Sequence, residues 1–187
     1  TRYGTVTGVQ TCALPIYNKH MILGLDISTS ITGFTVLNED GSVLHNEAIR
    51  LDSKKLETMF QKAETVKNRL TEIKHLYNIK DVYIEQSLNA FRPGLSSAQV
   101  ILTLGKFNGI VSWICYEIFG VEPQYIGASS ARKKLEIKVE KGENAKEIVL
   151  KHIISLEPTF KVEYTAHGNP KPGTYDRADS YVIAKAG

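Results

Sequence analysis

Cysteine is scarce: two stand among 187 residues, Cys12 and Cys115, far apart and in no CxxC pair. That spacing argues against a disulfide framework and against a structural zinc site, and makes a reducing compartment, the cytoplasm, the default. Excess charge of one sign is also missing. The 23 Lys and Arg oppose 20 Asp and Glu; setting aside Arg2 and Lys19, which lie in a leader without acids, leaves 21 against 20. Global charge therefore gives no argument for nucleic acid, and local clusters must carry one. No apolar run in the sequence approaches the roughly 20 residues that cross a bilayer, so no membrane association is expected. A composition of 42% hydrophobic and 23% charged residues excludes a disordered chain, and the length suits one domain with a core that needs no staples.

Residues 1–16, TRYGTVTGVQTCALPI, lack the basic start, long apolar centre and cleavage site of a secretory signal. They resemble the translated adapter read-through of some assembled metagenomic genes; the alternative is a disordered native extension. Either way residues 1–20 read as a leader and 21–187 as a single domain opening at Met21. With Cys12 set aside, Cys115 sits in an apolar segment and reads as a small buried hydrophobe.

Met21–Leu25, Thr32–Leu37 and Ser42–Leu51 are extended segments separated by Ser28-Thr29-Ser30 and by the turn Asn38-Glu39-Asp40-Gly41. They read as a three-strand antiparallel meander. Ser53 is the expected cap of a helix whose apolar stripe is Leu56, Met59, Phe60, Ala63, Val66 and Leu70. Asp81–Glu85 is a short apolar strand of the parallel type. Ser96 or Ser97 opens a largely apolar helix that runs to about Phe119. A strand over Glu122–Ile126, helices over Ala128–Leu135 and Asn144–Leu156, a Pro- and Gly-rich loop over Glu157–Thr174 and a last helix over Asp176–Lys185 complete the chain. The pattern is that of an α/β domain with a mixed sheet, the meander plus parallel strands, flanked by helices.

Four carboxylates stand where chemistry is done. Asp26 ends the first strand, Glu85 ends the DVYIE strand, and Asp176 and Asp179 share one face at the head of the last helix. Acids that end adjacent strands meet at one edge of a sheet, where open α/β folds place their ligands. Four of them together repel unless cations neutralise them, and oxygen-only ligands suit Mg²⁺ or Mn²⁺. Two such ions roughly 4 Å apart activate water and stabilise the leaving oxygen of a phosphodiester. Taken singly, Asp26 also reads as a turn residue, Asp176 as a helix N-cap and Asp179 as a first-turn acid. Glu85, directly after Val82-Tyr83-Ile84, has to be paired or bound.

The order of LGLDISTSITGF, VYIEQ, TLGKFNGI, GASSARKKL and DRADSYVIAKAG resembles the RuvC-type Holliday junction resolvases, phage-encoded members included, of the RNase H-like superfamily. The resemblance spans Met21–Gly187. It implies an RNase H-like fold, and a crossover junction endodeoxyribonuclease whose two Mg²⁺ ions are held by Asp26, Glu85, Asp176 and Asp179, with Mn²⁺ as a substitute. It also implies a homodimer that nicks two opposing strands of branched DNA at a four-way junction, and places DNA contacts on Lys133 and Lys146. The family's aromatic residue after the IEQ triplet is missing from Ser87-Leu88-Asn89-Ala90. Phe91 either takes its place near the crossover or belongs to the core.

Arg132, Lys133, Lys134 and Lys146, with Lys138, Lys141 and Lys151, are the best phosphate-contacting candidates; a solvated helical face of Glu–Lys pairs is the alternative. His167 either approaches the scissile phosphate or lies on a surface loop. Tyr175 and Ser28-Thr29-Ser30 flank the expected site, and contact with phosphate fits them no better than packing and turn formation do. Among other functions, a flap or RNA–DNA hybrid nuclease stays open. An actin-like or sugar-kinase ATPase shares the Asp and small-hydroxyl start, but its second phosphate loop and Gly-rich adenosine region have no counterpart here.

Overall fold

The computed structural model describes residues 20–52, 54–86 and 97–187; Ser53, Phe91 and the leader up to residue 19 lie outside the described residues. β1 (Met21–Asp26), β2 (Ile31–Leu37) and β3 (Val43–Arg50) form the antiparallel meander. β4 (Ile79–Glu85) pairs parallel to β1, and β5 (Gln124–Ile126) parallel to β4, so the sheet order is β3-β2-β1-β4-β5. This is the mixed α/β sheet expected from the sequence.

Strand alternation divides the residues between two faces. Leu23 and Leu25 of β1, Phe34 and Val36 of β2, and Val82 and Ile84 of β4 pack on α1 (Met59–Leu76) and α2 (Ala98–Phe119) in one core. A second core joins α3 (Ala128–Lys134), α4 (Ala145–Leu156) and α5 (Thr174–Ala186) through Ala131, Val149, Ile153, Ala178 and Val182. α5 packs on β1 and β2.

The first helix starts later than its expected Ser53 cap. Thr58 and Gln61 form a capping box in which the Gln61 amide donates to Thr58 Oγ1 at 3.2 Å and the Thr58 amide to Gln61 Oε1 at 2.9 Å. Two orphan donors are satisfied there at once, so the helix begins at Met59. Leu56 precedes it and still packs on the core, whereas Phe60 in the first turn is 75% exposed. α2 begins after Ser97, whose Oγ accepts from the Val100 amide at 3.2 Å, and ends at Gly120 in the left-handed region.

α2 corrects the reading that nothing here is long and apolar enough to cross a bilayer: its 22 residues are. Lys106 and Glu117 interrupt the run on paper, yet one helix is still mostly apolar around them. In this fold it lies against α1 and β4, with Phe107, Val111 and Cys115 in the core. Burial pushes the Cys115 thiol up to about 12, so the protonated, inert state prevails.

The last helix also departs from expectation. It begins at Thr174, after Gly173 at φ +95°, so Asp176 is a first-turn acid and not the N-cap. Only glycine enters that conformation without strain. α5 lies directly on the strands: a Cβ on Gly24 would fall 2.5 Å from the Ser180 carbonyl oxygen, and one on Gly33 would fall 2.0 Å from that of Asp176.

Candidate active site

The register places the acids. Asp26 pairs across the meander with Gly33, and Leu25 lies beside Ile84 in the parallel ladder, so Asp26 and Glu85 end neighbouring strands. Each comes one step after a residue buried on the α1–α2 face, so both point to the α5 face. Gly33 lets the first turn of α5 come down beside Asp26. The carboxylate oxygens of Asp26, Glu85 and Asp179 lie within 4.8 Å of one another. Asp176 lines the same cleft but is not one of these three. It sits three residues earlier on α5, about 4.5 Å further along the helix axis.

Crowding and burial make this cluster costly to ionise. Burial, then the charges of Glu85, Asp179 and Asp176, hold the Asp26 carboxyl well above its ordinary range, against the pull of Lys146. Glu85 is pushed up to about 7 by burial and Asp179, despite a hydrogen bond from Asp26 and the charges of Lys146 and Arg132. Asp179 is raised to about 6 by burial first, and Asp176 is raised by burial. Half-buried acids in such an arrangement are relieved by a divalent cation. The donor set is all oxygen, the kind that a hard divalent cation prefers.

The cleft over the cluster measures about 690 Å³ and is lined in addition by Ser28, Ser30, Gln86, Asn108, Ser129, Arg132 and Lys146. Asn144 caps α4 by accepting from the Lys146 amide at 3.1 Å, which starts the helix beside the acids. The Lys146 ammonium lies 5.9 Å from the centre of the Tyr175 ring. Arg132 and Ser129 also line a neighbouring groove of about 730 Å³ with Lys133, Glu136, Ile137, Lys138 and Val139. Arg132 and Lys146 thus stand at the cleft and Lys133 in the adjoining groove.

Lys134 is engaged elsewhere. Its ammonium donates to the Ala186 carbonyl at 2.5 Å and satisfies the C-terminal end of α5. His167 is exposed in the loop before α5 and does not line the cleft. Ser28 does both things that its position allows: its Oγ accepts from the Ile31 amide at 3.0 Å in a tight turn, and it lines the cleft. The sequence reading overlooked Asn108. It is 4% exposed, its Nδ2 donates to the Glu85 carbonyl at 3.5 Å, and its Oδ1 is buried without a partner. The signal was a lone amide among apolar positions of α2.

No family model and no curated protein matches the chain. Solved structures do. The T. thermophilus RuvC in complex with Holliday junction substrate shares 18% identity at a TM-score of 0.60, over 89% of this chain and 91% of that one. Another Thermus thermophilus RuvC structure shares 20% identity at 0.59, over 89% and 92%. The yeast mitochondrial Holliday junction resolvase Ydc2 shares 16% at 0.57, over 92% and 79%. The likeness is one of fold, and the chain has the RNase H-like fold of these proteins.

Proposed function

We propose that this chain, which carries the RNase H-like fold of the RuvC-type resolvases, is a metal-dependent endonuclease that cuts phosphodiesters at four-way DNA junctions. The observation that carries the reading is the meeting of Asp26, Glu85 and Asp179 within 4.8 Å on the floor of a cleft flanked by Arg132 and Lys146. The likeness of fold to a RuvC seen with a Holliday junction substrate supports branched DNA as the partner.

In this reading Asp26, Glu85 and Asp179 would hold Mg²⁺ or Mn²⁺, and Asp176, which lines the same cleft, would complete a site for a pair of ions. The chemistry that bound ions would supply there is activation of a water and neutralisation of charge on the scissile phosphate and the leaving oxygen. The carboxylates supply negative charge in fixed positions and give up their protons as the cation arrives. Lys146 and Arg132 offset part of that charge and meet the phosphodiester backbone, fixing its position without reading its sequence. Lys133 in the adjoining groove extends the same contact along a strand.

A four-way junction presents two equivalent strands, so two equivalent sites are needed, and we read the chain as one half of a homodimer. Trp113 and Tyr116, exposed on α2 with ring centres 5.6 Å apart, support a contact on that helix. Sedimentation of the purified protein with and without junction DNA tests the dimer.

The deciding experiment offers labelled four-way junction, flap, duplex and RNA–DNA hybrid side by side to the purified protein in Mg²⁺. Paired nicks in the junction are expected, with the other substrates cut far more slowly. Preferential cutting of flap or hybrid would keep the nuclease and reject the junction. No cleavage of any substrate in Mg²⁺ or Mn²⁺ would sink the metal-nuclease reading.

A further inference from the structure

Between the two acids of α5 stands Arg177, and its surroundings have no direct part in the chemistry above. Asn46, on β3, grips this residue at two points. Its Nδ2 donates to the Arg177 carbonyl at 3.0 Å, and its Oδ1 accepts from Arg177 Nε at 2.8 Å. The same Nδ2 reaches Thr35 Oγ1 at 2.8 Å, and Thr35 meets Ser180 Oγ at 2.8 Å. Ser180 in turn donates to the Arg177 carbonyl at 2.9 Å. Thr35 and Ser180 are fully buried. The far end of the guanidinium donates to the Lys161 carbonyl at 3.1 Å and lies 4.6 Å from the centre of the Phe160 ring. The first two turns of α5 are thereby tied through polar groups to β2, to β3 and to the loop before the helix.

We infer that Asn46 is a positioning residue of the acid cluster: by clamping Arg177 on both its backbone and its side chain, it fixes the rotation of α5 that brings Asp179 and Asp176 to Asp26 and Glu85. The inference rests on the proposed metal site. Its physical reason is that a helix lying on glycines has few side-chain knobs to resist rotation. Gly24 and Gly33 remove them where α5 crosses β1 and β2. Hydrogen bonds are directional and can set an angle that apolar contact leaves loose. A turn of α5 by a fraction of a residue step would swing Asp179 out of the carboxylate group while leaving most of its apolar face buried.

The test measures Mn²⁺ binding by electron paramagnetic resonance, alongside thermal unfolding of the metal-free protein, for the parent, Asn46→Ala, Thr35→Val, Asp26→Asn and Val66→Ala. Val66 is fully buried in the opposite core and touches none of these groups. Asn46→Ala is expected to weaken Mn²⁺ about tenfold, in the range found when groups behind metal ligands are lost. Thr35→Val should weaken it by a smaller factor. Val66→Ala should lower the melting temperature at least as much as Asn46→Ala and leave Mn²⁺ affinity unchanged. The inference is overturned if Asn46→Ala binds Mn²⁺ within twofold of the parent, or if Val66→Ala weakens it equally. If the parent binds no Mn²⁺, or Asp26→Asn binds it as tightly as the parent, the metal site itself is wrong, a result distinct from failure of the clamp.

Discussion

The two faces of the sheet are built on different principles. Against α1 and α2 the strands present Leu23, Leu25, Phe34, Val36, Val82 and Ile84, and contact is made by side-chain volume. Against α5 the same strands present Gly24, Gly33 and Thr35, and contact is made by backbone approach and hydrogen bonds. Apolar packing supplies most of the stability of a domain, but it is non-directional and yields a little when strained. Close backbone approach brings α5 near the strands, and the satisfied polar network, being directional, fixes its orientation more narrowly than apolar contact does. The acids hang from the second face. Both faces bury apolar side chains, but the site geometry is set on the α5 face, where glycines and polar groups join β1 and β2 to the helix.

The largest effect tests whether charge on the α5 face serves the reaction at the expense of the fold. Asp26→Asn keeps size and hydrogen-bonding reach and removes a charge from the cation site. Cleavage should fall on the order of a hundredfold or more, while junction affinity in a gel shift holds or rises. Ca²⁺ should support binding without turnover in the parent, because its looser coordination places the reacting groups poorly. An Asp26→Asn protein that cuts at the parental rate in Mg²⁺ would refute the site.

Next comes a substitution on each face. Gly33→Val puts a side chain 2.0 Å from the Asp176 carbonyl oxygen, a backbone atom that moves only if α5 lifts. Metal affinity and cleavage should both collapse. Phe107→Ala opens the α1–α2 core and should cost about 3–5 kcal/mol in urea unfolding, yet the folded fraction should cleave within a few-fold of the parent. If both variants lose the same share of activity per folded molecule, the division of labour between the faces is wrong.

A smaller, reversible effect follows from pH. Glu85 keeps its proton to about 7 and Asp179 to about 6 when folded, against 4.5 and 3.8 ordinarily. Between those values the folded state binds more protons than the unfolded one. Metal-free stability contributed by these groups is therefore present in full below the unfolded values and lost as pH rises through about 6 to 7. Melting of the metal-free protein should drop by several degrees between pH 5 and pH 8. Glu85→Gln should flatten the drop, and Mg²⁺ should offset it. A melting temperature that rises over that interval without metal would contradict the crowding of the acids.

The smallest effect separates two lysines that the fold sends to opposite ends of α5. Lys146→Ala should weaken junction binding and reduce its salt slope by up to roughly one unit. Lys134→Ala should leave the slope alone, since its ammonium is spent on the end of α5. Equal slopes for both variants would return Lys146 to a solvated helical face.

The sequence by itself determined the elements and their pairing class, because β-branched runs, turn residues and helical periodicity are local signals. The meander, the parallel character of DVYIE and a start of α2 at Ser96 or Ser97 could all be read there, and Asp26 and Glu85 could be picked out as strand-ending acids. Where helices start was less legible. The Thr58–Gln61 box displaced Ser53 as the cap of α1, and Gly173 moved the start of α5 ahead of Asp176. Only the tertiary structure decided which acids meet, because the spacing between Asp179 and Asp26 depends on how close α5 lies to the sheet. That closeness rests on the missing side chains of Gly24 and Gly33, a signal indistinguishable in sequence from any strand glycine. Tertiary structure likewise sent Lys134 to the end of α5 and Lys146 to the acids, and set Asn108 behind Glu85. A side chain's partner across the fold depends on the packing angle of two elements, and no local pattern encodes that angle.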